Sequence, residues 1–313
     1  MRKDAKIYVA GHGGMLGSAI VRSLKAKGYT NIIGKRPAEL NLTRQSETEK
    51  FFSDEKPEYV FLAAAKVGGI HTNNIHPAEF MYINTSLEIN VIHSAYLNNV
   101  KKLLFTGTGC IYPRESPQPI KEECLLTGPF EKTNEAYALA KLAGLKMCEY
   151  YNRQYRTNYI SCMPINLYGT GDNFHLENSH VIPALIRKVC EAKERGDKHV
   201  IIWGTGSALR EFMHVDDAAD ACVFLMENYR SNEAINVGTG NEVSILDLTK
   251  MIVRIAEFGG DVVTDPSKPD GMPRRLVDSS KLSSLGWRPQ ITLEDGLRRT
   301  YEDYLKNRNL YRR

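Results

Sequence analysis

The sequence lacks the features that would place the protein in a membrane, in a secretory route or on nucleic acid. No apolar run approaches the length of a membrane span, and residues 1–5 lead directly into a strand pattern, so we expect neither a transmembrane helix nor a signal peptide. The 41 basic and 37 acidic residues leave a net charge of +4, which is too small to indicate nucleic-acid or membrane binding. We therefore expect a cytoplasmic protein.

Paired cysteines, repeats and low-complexity segments are also missing. The six cysteines, at positions 110, 124, 148, 162, 190 and 222, form no C-x-x-C motif and have no metal-ligand spacing. This pattern predicts reduced thiols and no metal site. A chain of 313 residues with no repeat is long enough for one large α/β domain or for two unequal ones.

A glycine-rich segment follows the first apolar run. Lys6–Ala10 is typical of a strand, Gly11, Gly14 and Gly17 come next, and Ser18–Leu24 has a helical period. Strand, glycine loop and helix are the context of a dinucleotide-binding fingerprint, in which backbone N–H groups approach a pyrophosphate. The spacing is G-x-x-G-x-x-G rather than G-x-G-x-x-G, so a purely structural tight turn is the alternative.

Three further apolar runs predict parallel strands. Asn31–Lys35 is the second strand, and Lys35 and Arg36 stand at its end, where an NAD site usually has a carboxylate. Two cations there favour a 2′-phosphate, and hence NADP. The alternative interpretation of the two residues is a solvated basic turn. Tyr59–Ala65 and Lys102–Thr106 are near-continuous apolar runs, as in strands that are buried on both faces.

The order of strand and helix patterns along the sequence predicts a Rossmann-type, doubly wound parallel sheet with a smaller, mostly C-terminal α/β part. We expect an NADP-binding domain over residues 1–170, with a returning segment near 205–240, and a substrate-binding domain over 171–313. Helices are predicted over residues 77–98, 137–155, 181–188, 218–227, 244–256 and 293–306, with strands over 158–162, 199–204 and 235–238. Residues 172–180 and 268–274 are predicted to be loops.

Tyr137 and Lys141 lie four residues apart, so on a helix they project from the same face. An ammonium beside a phenol stabilises the phenolate, and we therefore expect a lowered pKa for Tyr137. Thr108, at the end of a neighbouring strand, would hold the same substrate oxygen as the phenol. In isolation, Tyr-x-x-x-Lys is more typical of an amphipathic surface pair than of a catalytic one.

Together, the glycine loop, Thr108 and Tyr137-x-x-x-Lys141 resemble the extended short-chain dehydrogenase/reductases that act on nucleotide sugars. The resemblance extends nearly end to end, and it is greatest to members that act on GDP-4-keto-6-deoxy-D-mannose as 3,5-epimerase/4-reductases. The segments that carry it include Ala63–Ile70, Cys110–Pro113, Asp172–His175, Asn178–Ala184, Arg210–Phe212, His214–Asp217 and Ser267–Gly271.

The resemblance implies catalytic and binding residues. Cys110 would act as the base and His180 as the acid on opposite faces of the sugar, while Thr108 and Tyr137 hold the C4 oxygen and Lys141 positions the nicotinamide ribose. The implied cofactor, NADP(H), would contact Gly11, Gly14, Met15, Leu16, Gly17, Lys35, Arg36, Asn41, Leu42, Ala63, Ala64, Ala65, Thr106, Gly107, Tyr137, Lys141, Pro164, Asn166, Leu167 and His180. The GDP-sugar would contact Thr108, Cys110, Asn166, His180, Val181, Arg187, Lys188, Trp203, Arg210 and Asp270, with Arg187 and Lys188 as alternative partners for the diphosphate.

The sequence departs from the family pattern at three positions, and it leaves alternative functions open. Gly13 and Pro37 stand where relatives often have arginines toward the 2′-phosphate, so NADP stays the expected cofactor and tolerance of NAD is the alternative. Thr108 stands where serine is common. The family builds a four-helix dimer from the helices near 80–98 and 137–155, which implies a homodimer. The alternative functions are an NAD-retaining epimerase, a simple 4-reductase, and a non-catalytic nucleotide-sensing or scaffold protein.

Overall fold

The computed structural model describes residues 1–175, 178–268, 270 and 272–311. Leu176, Glu177, Pro269 and Gly271, which fall in the two predicted loops, lie outside the described residues. The strands are β1 Ile7–Ala10, β2 Ile32–Ile33, β3 Tyr59–Leu62, β4 Lys102–Thr106, β5 Tyr159–Pro164, β6 Asn166–Tyr168, β7 His199–Trp203, β8 Leu209–His214, β9 Ile235–Val237, β10 Glu242–Ser244, β11 Asp261–Asp265 and β12 Arg274–Arg275. The helices are α1 Met15–Ala26, α2 Gln45–Glu55, α3 Ile70–Ile75, α4 Pro77–Leu97, α5 Glu135–Tyr155, α6 Val181–Arg195, α7 Val215–Asn228, α8 Ile245–Ile255, α9 Ser280–Ser284 and α10 Leu293–Tyr311.

The larger sheet has six parallel strands in the order β2-β1-β3-β4-β5-β9. Helix α1 packs against α7, and α4 packs against α5. The strand order reverses at β1, and ligands of open α/β sheets bind at the carboxyl ends of the strands beside such a reversal. The predicted Rossmann-type α/β fold is confirmed.

A second hydrophobic core lies among α6, α8, α10 and the later strands. Here β8 pairs with β6, β10 and β12, and β7 pairs with β11. In β7 the side chains alternate, because Val200 and Ile202 face the core while Ile201 and Trp203 are exposed. By contrast, Val60, Phe61 and Leu62 of β3 are all buried, since helices cover both faces of the larger sheet.

Several predicted boundaries differ from the structure. Strand β2 covers two residues instead of five, and α10 continues five residues beyond its predicted end. Helix α7 begins at Val215 rather than Ala218, because the His214 side chain accepts a hydrogen bond from the Asp216 N–H and so caps the helix. In the described part of the chain, every helix is too short or too polar to cross a bilayer.

Candidate active site

The glycine loop forms a cradle that has room only for backbone. Gly11 has a φ of +85°, and a Cβ atom there would lie 2.7 Å from the Ala64 nitrogen at the end of β3. A Cβ atom on Gly17 would lie 2.0 Å from the Gly11 oxygen. Gly14 is the N-cap of α1 and provides no side-chain cap for the N–H groups of Met15 and Leu16. Open backbone at a helix N-terminus fits a dinucleotide pyrophosphate.

The residues predicted for the 2′-phosphate follow β2 at the same edge of the sheet. Lys35 is half-buried, Arg36 is exposed, and the Arg36 N–H donates to a Glu39 carboxylate oxygen at 2.8 Å. The Leu42 carbonyl accepts from Asn90 of α4 at 2.9 Å, which fixes the segment that contains Asn41. Two cations beside one carboxylate suit a phosphate ligand.

Thr108 and Cys110 lie on the turn that follows β4. The Cys110 N–H donates to Thr108 Oγ1 at 3.3 Å, and Gly109–Ile111 forms a single 3₁₀ turn. The Cys110 thiol is half-buried, and both Cys110 and Thr108 influence the pKa of the Tyr137 phenol. The structure therefore brings three of the predicted catalytic residues together at the carboxyl edge of the sheet.

Lys141 occupies a buried position one turn after Tyr137 on α5. Its ammonium lies 3.0 Å from Glu88 Oε1 of α4 and donates to the Thr106 carbonyl at 2.9 Å. It also lies 4.8 Å from the centre of the Phe105 ring, within cation–π range. Lys141 and Glu88 are 1% and 0% exposed, so this ion pair is fully removed from solvent.

The expectation of a lowered pKa for Tyr137 is wrong in this structure. Burial raises the pKa of the phenol above its ordinary value, the charges of Cys110 and Glu88 raise it further, and the hydrogen bond with Thr108 opposes them. Because the Lys141 ammonium is paired with Glu88, its charge is offset and does not outweigh burial. The phenol therefore stays protonated at neutral pH.

His180 is the N-cap residue of α6. The segment before it is fixed to α3: the Gly69 N–H donates to the Asn178 carbonyl at 3.2 Å, and the Thr72 hydroxyl donates to Asn178 Oδ1 at 2.8 Å. Surrounding protein atoms hold the pKa of His180 below its usual value by desolvation. A lowered pKa makes a protonated imidazole a readier acid.

Residues predicted to bind the nucleotide part of the substrate gather around Trp203, which is 66% exposed at the end of β7. The Lys188 ammonium lies 5.8 Å from the Trp203 ring, and desolvation lowers the pKa of that lysine. The Asp270 carboxylate accepts from the N–H of Thr205 at 2.9 Å. Arg187, by contrast, donates to Glu191 at 2.8 Å. Lys188 is therefore the better placed of the two predicted cations.

The other predicted residues lie along the strands that frame the cleft. The Gly107 N–H donates to the Cys162 carbonyl at 2.8 Å, and Asn166 donates to the Glu211 carbonyl at 2.9 Å. Desolvation and the nearby charge of Arg275 lower the pKa of Arg210. The other predicted binding residues lie at or just after the ends of β3 and β5 and near the starts of β6 and α6. They are Ala63, Ala65, Pro164, Leu167 and Val181.

Three residues were missed in the sequence. Glu88 and Asn84 lie within α4, where polar residues at those positions look like a solvated face. Arg275, in a basic pair before an apolar run, donates to the carbonyls of Gly109 and Tyr112 and so holds the turn that contains Cys110. The four-residue spacing of Phe80, Asn84 and Glu88 was the available signal, because it places them on one helix face.

Comparisons with known proteins agree with this fold. Residues 7–238 match the NAD dependent epimerase/dehydratase family. The chain is 58% identical to putative GDP-L-fucose synthase 2 of Arabidopsis thaliana over 98% of its own length and 94% of that protein. A GDP-L-fucose synthetase from Naegleria fowleri bound to NADP has a similar structure, with a TM-score of 0.94, 29% identity and coverage of 100% and 96% of the two chains. GDP-mannoheptose C4 reductase from Campylobacter jejuni with NADP bound gives a TM-score of 0.90, 42% identity and coverage of 97% and 99%.

Proposed function

This chain belongs to the NAD dependent epimerase/dehydratase family, and we propose that it converts GDP-4-dehydro-6-deoxy-α-D-mannose to GDP-β-L-fucose. The conversion has two steps, a 3,5-epimerisation and an NADPH-dependent reduction of the C4 ketone. The observation that carries the proposal is the meeting of Thr108, Cys110 and Tyr137 at the carboxyl edge of the sheet, with Lys141 buried behind them.

In the epimerisation, Cys110 and His180 exchange protons with the sugar. The C4 ketone acidifies the hydrogens on C3 and C5, so removal of either gives an enolate whose charge lies on the C4 oxygen. The Cys110 thiolate takes the proton, and His180 returns one from the other face, which inverts the centre. Thr108 and Tyr137 hold the C4 oxygen by hydrogen bonds while the charge develops.

In the reduction, Tyr137 donates its proton to the C4 oxygen. NADPH, when bound, supplies the hydride to C4. The raised pKa of Tyr137 keeps the phenol protonated for this step. Lys141 holds the end of β4 by donating to the Thr106 carbonyl, and we propose that it positions the nicotinamide ribose from there.

The cofactor would lie in the cradle of Gly11, Gly17 and Ala64, with its 2′-phosphate against Lys35 and Arg36. Residues 1–170, with a returning segment near 205–240, would form the cofactor domain. Residues 171–313 would bind the GDP moiety, with Lys188 and Arg210 on the diphosphate, Trp203 as an apolar wall and Asp270 toward the guanine N–H groups.

We expect Arg36→Ala to raise the KM for NADPH by about tenfold or more, because a charge-assisted hydrogen bond contributes roughly 1.5–3 kcal/mol. The KM for NADH should not change, since NADH has no 2′-phosphate. Initial rates with each cofactor measure both values, and Arg254→Ala, an exposed arginine of α8 that pairs with Glu294, is the matched control. Equal changes for the two cofactors would remove Arg36 from the phosphate site.

One assay tests the proposed function. The protein is given GDP-4-dehydro-6-deoxy-D-mannose and NADPH in deuterated water, oxidation of NADPH is followed by absorbance, and the product is identified by NMR. GDP-L-fucose with deuterium at C3 and C5 is the expected product. An unlabelled 4-reduced sugar would identify a simple C4 reductase, which the likeness to the Campylobacter jejuni enzyme makes the leading alternative. Binding of NADPH without its oxidation would identify a scaffold.

The assembly we propose is a cytoplasmic homodimer formed by α4 and α5 of both copies. Large apolar side chains stay exposed on these helices, including Tyr82 at 65% and Tyr150 at 52%. Reduced cysteines support the proposed location in the cytoplasm: none of them forms a disulfide in the part of the chain that the structure describes.

Tyr82→Glu should shift the protein from dimer to monomer in sedimentation velocity, because it would bury a charge in that interface. Val263→Glu, on the exposed face of β11, is the control and should leave the dimer unchanged. A wild-type protein that sediments as a monomer would rule out the dimer.

A further inference from the structure

One face of α4 contacts three separate parts of the active site. The Phe80 ring lies edge-on to the Tyr137 ring, with 6.2 Å between their centres. One turn later, buried Asn84 accepts from the Lys66 N–H at 2.8 Å and donates to the Lys66 carbonyl at 3.0 Å, which fixes the backbone after Ala65. After another turn, Glu88 pairs with Lys141.

The Glu88 carboxylate faces Lys141 in an otherwise closed space. Apart from the Lys141 ammonium, 3.0 Å from Oε1, no hydrogen-bond donor in the described part of the chain reaches either oxygen. A Cβ atom on Gly144 would lie 2.4 Å from Glu88 Oε2 and 2.7 Å from the Phe105 ring. Helix α5 thus has a glycine at the one position where a larger residue would push the carboxylate away from Lys141.

Burial of an isolated carboxylate is strongly unfavourable, so this one has to be paired. The titratable groups of α5 that feel its charge are Lys141, Tyr137 and Cys148, and Cys110 contributes to Tyr137 from the turn after β4. Burial raises the pKa of Glu88, and the Lys141 ammonium opposes that rise by stabilising the carboxylate. With Glu88 ionised and Lys141 protonated, the pair is neutral. Without the carboxylate, the ammonium would favour loss of the phenolic proton.

We propose, on the basis of the proposed function, that Glu88 is a positioning residue for the reduction: it holds the Lys141 ammonium against the end of β4 and offsets its charge. Tyr137 therefore remains a neutral phenol that can protonate the C4 oxygen. The acid of the reduction is then set by three residues on two helices rather than by the Tyr137 and Lys141 motif alone.

The test compares Glu88→Gln with the wild-type protein. Glutamine has the same shape but no charge, so proton loss from the coupled Tyr137 and Lys141 should become easier. The basic limb of the pH profile of kcat should move to lower pH by at least about one unit, the scale of a unit charge inside a protein. Glu149→Gln removes a carboxylate that pairs with Lys146 at 2.7 Å on α5, and it should leave the limb in place.

A second measurement needs neither substrate nor cofactor. Tyrosinate ultraviolet absorbance is titrated in Glu88→Gln with and without Tyr137→Phe, and the difference reports Tyr137 and the groups coupled to it. In protein that keeps Glu88, the absorbance difference between the forms with and without Tyr137→Phe should appear at higher pH. This readout separates the inference from the proposed function, because a shifted titration with no turnover of the keto sugar would overturn only the latter.

Glu88→Asp tests the inference if Glu88→Gln does not fold. Aspartate keeps the charge but withdraws it by one methylene, so a smaller shift of the basic limb in the same direction is expected. The proposal would be overturned if, in a folded variant, the basic limb and the tyrosinate titration both stay at their wild-type pH. In that case kcat would be lowered equally at every pH. Glu88 would then serve packing alone.

Discussion

Tyr137→Phe should lower the rate of hydride transfer to the C4 ketone by about 10²–10⁴-fold, the usual contribution of a positioned general acid. The substitution removes the proton donor but keeps the ring, so the edge-on contact with Phe80 and the fold should survive. NADPH oxidation in single-turnover experiments measures the rate, and the fluorescence of bound NADPH measures cofactor affinity, which should remain close to that of the wild type.

Tyr150→Phe is the matched control for this result. Tyr150 lies on the same helix, on the face of the proposed dimer interface, where its ring stacks with Arg153. Its loss of a hydroxyl should leave turnover unchanged. Substantial hydride transfer in Tyr137→Phe would show that the C4 oxygen receives its proton from another group, and Thr108 would be the first candidate.

Cys110→Ser should slow inversion at C3 and C5 by a comparable factor, about 10²–10⁴-fold, because a serine hydroxyl is far less acidic than a thiol and is a poor base precursor at neutral pH. Incorporation of solvent deuterium at C3 and C5, followed by NMR without NADPH, measures inversion directly. Some reduction of an already inverted ketone should remain, since Thr108, Tyr137 and Lys141 are untouched.

The control for this variant is Cys124→Ser, at another half-buried cysteine that has no predicted catalytic role. It should exchange C3 and C5 hydrogens at the wild-type rate. Unchanged exchange in Cys110→Ser would assign the base to another residue and would favour the simple C4 reductase.

The fold could be predicted from the sequence because its signals are local. Near-continuous apolar runs such as Tyr59–Leu62 predicted the parallel strands, and the glycine loop after β1 predicted the cofactor cradle. Boundaries were less predictable, since they depend on individual contacts. The start of α7 is set by the His214 cap, which the pattern of apolar residues does not contain.

The structure brings Thr108, Cys110 and Tyr137 of the predicted site together, but the electrostatics of the site differ from the prediction. Motif spacing identified Tyr137 and Lys141, and from these two alone a lowered phenol pKa follows. The third group, Glu88, comes from a helix some fifty residues earlier and offsets the lysine charge, so the direction of the shift is reversed. A sequence with no structure does not show which buried charges meet.

The choice between Arg187 and Lys188 is another case of this kind. Neighbouring residues on a helix point about 100° apart, so only one of them can face Trp203. In the structure Lys188 does so, while Arg187 turns to Glu191. The orientation of α6 about its axis, which depends on tertiary packing, decides between them.

The close approach of Gly144 to Glu88 links two positions that are far apart in sequence. A Cβ atom at 144 would lie too close to both the Glu88 carboxylate and the Phe105 ring, so a larger residue at 144 requires both side chains to move. Substitutions at the two positions should therefore occur together as the family diverges. A homologue that has changed one of them is expected to have changed the other, and with it the acidity of its reducing centre.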